Sequence, residues 1–160
     1  GGHTSCDVTT VWRLDEGLAV VRNPVPVPAP RPLPTAGTLD ADPWGVRIRV
    51  GPADPPAWRW RCDVPAEAGT LMLRGRQPGD RVRTMAGSKK VQDVLVDAKV
   101  PRPLRDLVPL VATSSAPLAV VGLTAPPDRA SRRSDALSVI DVEPADPTWS
   151  RRSLWTRASG

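Results

Sequence analysis

The chain has 160 residues, enough for one domain or one domain with a small annex. Its apolar fraction of 40% can build a core, but Phe and Tyr are absent and twenty prolines exclude long helices, so short strands packed through Val, Leu and six Trp are expected. The net charge of +5, with a pI near 10.2, points to a polyanionic partner, and no apolar run is long enough to span a membrane.

Residues 11–22 read as a hairpin. Val11, Trp12 and Leu14 lead into Asp15-Glu16-Gly17, a three-residue loop closed by Gly, and Leu18, Val20 and Val21 follow. Next comes a proline ladder: Pro24, Pro26, Pro28, Pro30, Pro32 and Pro34. Proline at every second position favours an extended, stiff spacer over regular pairing. Trp44, Val46, Ile48 and Val50 alternate with Arg47 and Arg49, as in a strand with one buried face. Trp58 to Cys62 and Leu71 to Arg76 alternate in the same way. Such Trp/Arg alternation can mimic a base-stacking platform, but inward Trp and solvated Arg explain it more simply.

Gln77-Pro78-Gly79-Asp80 has the residues of a type II turn. Val91, Val94, Leu95 and Ala98 then share one helix face, with Ser88 as the expected N-cap. Pro101 ends that helix, and Pro103 suits the first turn of a second short helix through Leu107. Leu110-Val111, Leu118–Leu123 and Ala136–Val142 read as strands, and the tail from Glu143 as irregular. The expected organisation is a hairpin segment (1–23), a Pro-rich linker (24–36), one domain (37–143) and a tail (144–160). The elements expected from the residues are mainly short strands with two short helices.

The charge is unevenly spread. Arg74, Arg76, Arg81, Arg83, Lys89, Lys90, Lys99, Arg102 and Arg105 share one stretch with the acids Asp80, Asp93, Asp97 and Asp106, and this stretch holds the whole excess of +5. Lys89 and Lys90 would occupy the first turn of the expected helix. That is the wrong end for cations, because the helix dipole is positive there, unless a phosphate binds to them. Asp80 is placed to accept turn N–H groups or to pair with Arg81 or Arg83. Asp93 and Asp97 share a helix face and are read as orienting arginines rather than as a catalytic pair. Arg102 and Arg105 are also within reach of Asp97 or Asp106. Cys6 and Cys62 form no metal or redox pattern, and with His3 as the single histidine no metal set exists.

The string Leu73-Arg74-Gly75-Arg76-Gln77-Pro78-Gly79-Asp80-Arg81 resembles the R-x-R-x-P-G-D-R signature of the C-terminal domain of bacterial tRNA(Ile)-lysidine synthetases. Gly87-Ser88-Lys89-Lys90-Val91-Gln92-Asp93-Val94-Leu95-Val96-Asp97 is similar to that family's G-x-K-K-L-K-D-x-x-I-D. Lys99-Val100-Pro101-Arg102-Pro103-Leu104-Arg105-Asp106-Leu107-Val108-Pro109-Leu110 is similar to its K-V-P-R-x-x-R-D-x-x-P-L. Leu14-Asp15-Glu16-Gly17-Leu18 more weakly resembles L-P-G-G-L. Val91 and Gln92 depart from the usual Leu and Lys, which removes one cation from the helix face. Val120-Val121-Gly122-Leu123 departs from the family's Trp-Val-Pro-Gly.

The resemblance implies an α+β fold class, with mainly antiparallel strands in a layered, β-sandwich-like domain carrying two short helices, and an acceptor-stem-binding role within an enzyme that adenylates the wobble cytidine of a minor isoleucine tRNA and attaches lysine to it. ATP and Mg would serve an N-terminal catalytic domain with an S-G-G-x-D-S loop. Gly1-Gly2-His3-Thr4-Ser5 lacks the Asp of that loop, so no cofactor and no catalytic residue is expected in this chain. The start at Gly1 rather than Met suggests a fragment, a processed product or a truncated reading frame, and the chain alone is expected to bind tRNA without making lysidine. The implied RNA-binding residues are the nine cations, supported by Pro78, Gly79, Asp80, Asp93, Asp97 and Asp106. The implied setting is the cytoplasm, with tRNA and the catalytic domain as partners, no membrane, and room for a homodimer. The alternative is a non-catalytic protein-interaction or scaffold domain of the same fold.

Overall fold

A computed structural model describes residues 8–14, 17–23, 26–51, 60–65, 68–124 and 137–144, with side chains described from 26 onward except at 42, 60–61, 65 and 137–144. Strands β1 (Val8–Leu14) and β2 (Gly17–Asn23) pair antiparallel. Leu14 faces Gly17 across the ladder, so Gly17 belongs to the strand and not to the expected three-residue loop.

Two four-stranded antiparallel sheets follow. One has the order β4-β5-β12-β6, built from Gly37–Ala41, Val46–Gly51, Leu137–Pro144 and Trp60–Pro65. The other has the order β11-β10-β7-β3, built from Pro117–Val120, Leu110–Ala112, Met72–Arg74 and Arg31–Pro32. A third layer holds the hairpin β8 (Arg81–Thr84) and β9 (Gly87–Lys90), the helix α1 (Val91–Asp97) and a 3₁₀ helix (Arg102–Leu107). The α+β class and the layered antiparallel build match the expectation.

Alternation along the strands explains the layers. Val46, Ile48 and Val50 of β5 face the first core, with Trp44 fully buried beside them. Leu73, Val111 and Ala119 of the second sheet face the same core. Leu110 and Val120, which are cross-strand partners, face the opposite way and meet Val82, Leu95 and Leu104 in a second core. Each such Leu or Val adds about 1.5–3 kcal/mol on full burial. The second sheet is therefore buried on both faces, and the apolar run at Leu118–Val121 reflects that position.

The proline ladder is only partly a spacer. Arg31–Pro32 pairs with β7 as an edge strand, where a missing N–H costs no ladder bond. Leu33 donates its N–H to the Leu71 carbonyl at 2.9 Å and is buried. The Trp44 indole N–H donates to the Ala29 carbonyl at 3.2 Å, which ties the ladder to the first core. The expected helix start also shifts. Gly87–Lys90 is extended because it pairs with β8, so α1 begins at Val91 and Lys90 is its N-cap residue. Ser88 is therefore not the cap, and Lys89 and Lys90 do not lie in a first helical turn. The expected second helix exists as the 3₁₀ segment with Pro103 near its start. The strand expected over Leu118–Leu123 ends at Val120 and turns through Gly122, whose φ is 77°. The tail expected from Glu143 does not begin there, since β12 runs through Pro144. Cys6, Trp58, the Asp15-Glu16 turn and the tail from 145 lie outside the described residues, as do the side chains of Trp12 and Trp60.

Candidate nucleic-acid interface

The basic stretch supplies most of the third layer. It begins on β7, where Leu73 points into the first core and Arg74 therefore points to the opposite face. Arg74 donates to both carboxylate oxygens of Asp80. Asp80 also accepts the Gln77 N–H at 2.7 Å, while its own N–H donates to the Gln77 carbonyl at 3.2 Å. Gly79 takes φ of 84°, as the expected turn requires. Burial opposes the charge on Asp80. The Arg74 hydrogen bond, the Gln77 N–H and the Arg74 charge outweigh that and hold the carboxyl below its ordinary range. Asp80 thus pairs with Arg74, and not with Arg81 or Arg83.

Three further cations are held internally. Arg76 donates to Asp106 at 2.7 Å and to the side-chain oxygen of Gln92. A lysine at Gln92, the usual family residue, could not accept that bond. Lys89 pairs with Asp97. Arg105 donates to the Val100 carbonyl at 3.0 Å. Asp97 and Asp106 thus serve as ion-pair partners, but of Lys89 and Arg76 rather than of Arg102 or Arg105. Exposed Asp93 has no hydrogen bond or ion pair among the described residues, so it orients no arginine there.

The other five cations face solvent: Arg81, Arg83, Lys90, Lys99 and Arg102. Of these, Arg81 bonds to Ser88, at 2.9 Å to its hydroxyl and 3.1 Å to its carbonyl. The remaining four have no hydrogen bond or ion pair among the described residues. The hairpin register explains the arrangement. Val82 is buried, so Arg81 and Arg83 point outward. Arg81 lies directly opposite Lys90, and Arg83 opposite Ser88, so three cations share one outer face. Like charges directly opposite one another on a ladder are destabilising. No acid lies within residues 81–90 to offset them.

Beside Lys90, a cleft of about 400 Å³ opens between the Pro78–Gly79 turn and the start of α1. Arg76, Asp106 and Gln92 also line it, so its walls carry both signs of charge. Lys99 closes α1 in the left-handed region, with φ of 55°, and is the one non-glycine among the described residues with positive φ. Its N–H donates to the Val96 carbonyl at 2.8 Å. A non-glycine residue there costs about 1–2 kcal/mol.

Residues 71–140 match the family model described as the TilS substrate C-terminal domain. That match covers 70 of the 160 residues. The chain is 46% identical over 72 residues to the tRNA(Ile)-lysidine synthase of Symbiobacterium thermophilum, covering 44% of this chain and 14% of the relative. It is 42% identical over 74 residues to that of Deinococcus radiodurans, covering 46% and 12%. The chain thus spans about an eighth of the length of these relatives. The solved structure described as the TilS C-terminal domain aligns with a TM-score of 0.59 at 24% identity, covering 74% of this chain and 99% of the other, and shows the shared fold.

Sequence reasoning missed three residues that shape the interface. Ser88 restrains Arg81, and Gln92 restrains Arg76. At Gly75 a Cβ would come within 3.1 Å of the Asp106 carbonyl and 3.4 Å of Trp44, so the layers meet where a side chain fits poorly. The repeated glycines of the basic stretch were the available signal for Gly75. Among the described residues, no group of three or more His, Cys, Asp and Glu could hold a metal, and no helix is long and apolar enough to cross a membrane. Burial, then the nearby Asp63 charge, push the Cys62 thiol up to about 12, so it is an inert core residue.

Proposed function

We propose that this domain is the tRNA-recognition part of a tRNA(Ile)-lysidine synthase and grips the acceptor stem of a minor isoleucine tRNA. The observation that carries this reading is the outer face of the β8–β9 hairpin, where Arg81 opposes Lys90 beside Arg83 with no acid in the ribbon. Such a face is unfavourable alone and favourable against phosphates. A-form RNA hides its base edges in a deep major groove, so a stem is held through phosphates and 2′-hydroxyls. Lys99 and Arg102 extend the grip beyond α1. Arg74, Arg76, Lys89 and Arg105 brace the surface from behind. In this reading ATP, Mg and the lysine-attaching chemistry belong to a separate catalytic domain, and the setting is the cytoplasm.

Titration of the chain with tRNA at several salt concentrations tests the reading. Five cations on phosphates give a log–log slope of roughly −3.5 to −4.5. A flat salt response overturns it and favours the scaffold alternative.

A further inference from the structure

The tip of the β8–β9 hairpin holds an apolar side chain out in water. Met85 and Ala86 connect Thr84 to its cross-strand partner Gly87. The Thr84 hydroxyl accepts the Ala86 N–H at 3.2 Å and donates to the Gly87 carbonyl at 2.9 Å. Gly87 carries the positive φ, 109°, that the turn needs. The tip is therefore ordered by its own bonds, and Val82 anchors its root in the second core. Met85 is 87% exposed, whereas the other exposed large apolar residues among those described, Val27, Val96 and Leu123, are 40–49% exposed. Turn tips ordinarily carry Gly, Asn, Asp or Ser. A thioether at this tip contributes nothing to the core, yet it stands next to the three-cation face.

We propose that Met85 is a base-contacting residue. Its thioether lies against the face of a terminal or unpaired nucleobase while Arg81, Arg83 and Lys90 hold the neighbouring phosphates. Every base has a π-face, so such a contact tolerates sequence, and sulfur against an aromatic ring is favourable. A continuous stem covers its base faces by stacking, so the contact selects an RNA end or an unpaired nucleotide. The inference rests on the RNA-binding reading above and adds what the tip recognises.

The test uses the full chain, Met85→Ser and Met85→Leu. One RNA is a stem with 2-aminopurine at an unpaired 3′-terminal nucleotide, and the other is a closed dumbbell duplex with no ends. Wild type changes the 2-aminopurine fluorescence on binding. Met85→Ser abolishes that change and weakens the tailed stem about fivefold. It leaves the salt slope, the dumbbell affinity and the melting temperature as in wild type, and Met85→Leu restores most of the affinity. If Met85→Ser matches wild type in fluorescence and affinity, or weakens both RNAs equally, the base contact is overturned while the phosphate grip stands. If wild type binds neither RNA, the RNA-binding reading itself falls, and the base contact with it.

Discussion

Arg74 places two nitrogens on Asp80, Nη1 on Oδ2 at 2.7 Å and Nη2 on Oδ1 at 3.1 Å, across the turn between β7 and β8. The side chains are only 12% and 10% exposed, which makes this pair part of the scaffold rather than of the outer face. Replacing Arg74 by Met leaves a largely buried carboxylate without its cation. The expected cost is about 3 kcal/mol, read as a lower urea midpoint in equilibrium unfolding. The salt slope of RNA binding, measured where the variant is folded, is expected to match wild type, because Arg74 does not face solvent.

The same pair makes stability depend on pH. The Asp80 carboxyl is held below its ordinary value of 3.8, so its contribution is complete above that value and is lost as pH falls through the lower folded one. Asp80→Asn removes this contribution. Unfolding curves between pH 6 and pH 2 are expected to show a shallower loss of stability on acidification in the variant than in wild type. Parallel curves would assign the acid sensitivity to other carboxylates.

Lys89 and Lys90 are neighbours in sequence but lie on opposite faces of the hairpin. Lys90→Gln is expected to lower the magnitude of the RNA salt slope by roughly 0.7–0.9 and, by relieving the like-charge pair with Arg81, to raise the melting temperature slightly. Lys89→Gln breaks the partly exposed pair with Asp97. It is expected to cost at most about 1 kcal/mol of stability and to leave the salt slope near wild type. Equal slope changes in the two variants would contradict the two-faced arrangement.

Lys99 separates stability from binding. Glycine adopts its left-handed conformation without the Cβ penalty, so Lys99→Gly is expected to hold or raise the melting temperature despite the added chain entropy. RNA affinity is expected to fall and the salt slope to shrink by roughly 0.7–0.9. A variant that is more stable and binds RNA as tightly would remove Lys99 from the interface.

Local chemistry determined much of this protein. Pro78-Gly79 specified a turn, Val46, Ile48 and Val50 specified a strand face, and the motifs from Leu73 to Leu110 carry the resemblance to the lysidine synthase C-terminal domain. The concentration of charge between Arg74 and Arg105 marked the candidate interface within the chain. Tertiary structure alone decided which of those nine cations face outward. Residues 87–90 have no strong strand pattern of their own, and pairing with β8 made them extended and moved the helix start to Val91. That pairing turned Lys89 towards Asp97 and set Lys90 opposite Arg81. Strand register and the partners of long side chains depend on contacts remote in sequence, such as Arg76 with Asp106. Charge is legible residue by residue, but whether a charge is paired inside the fold or left facing solvent is decided only when the layers close.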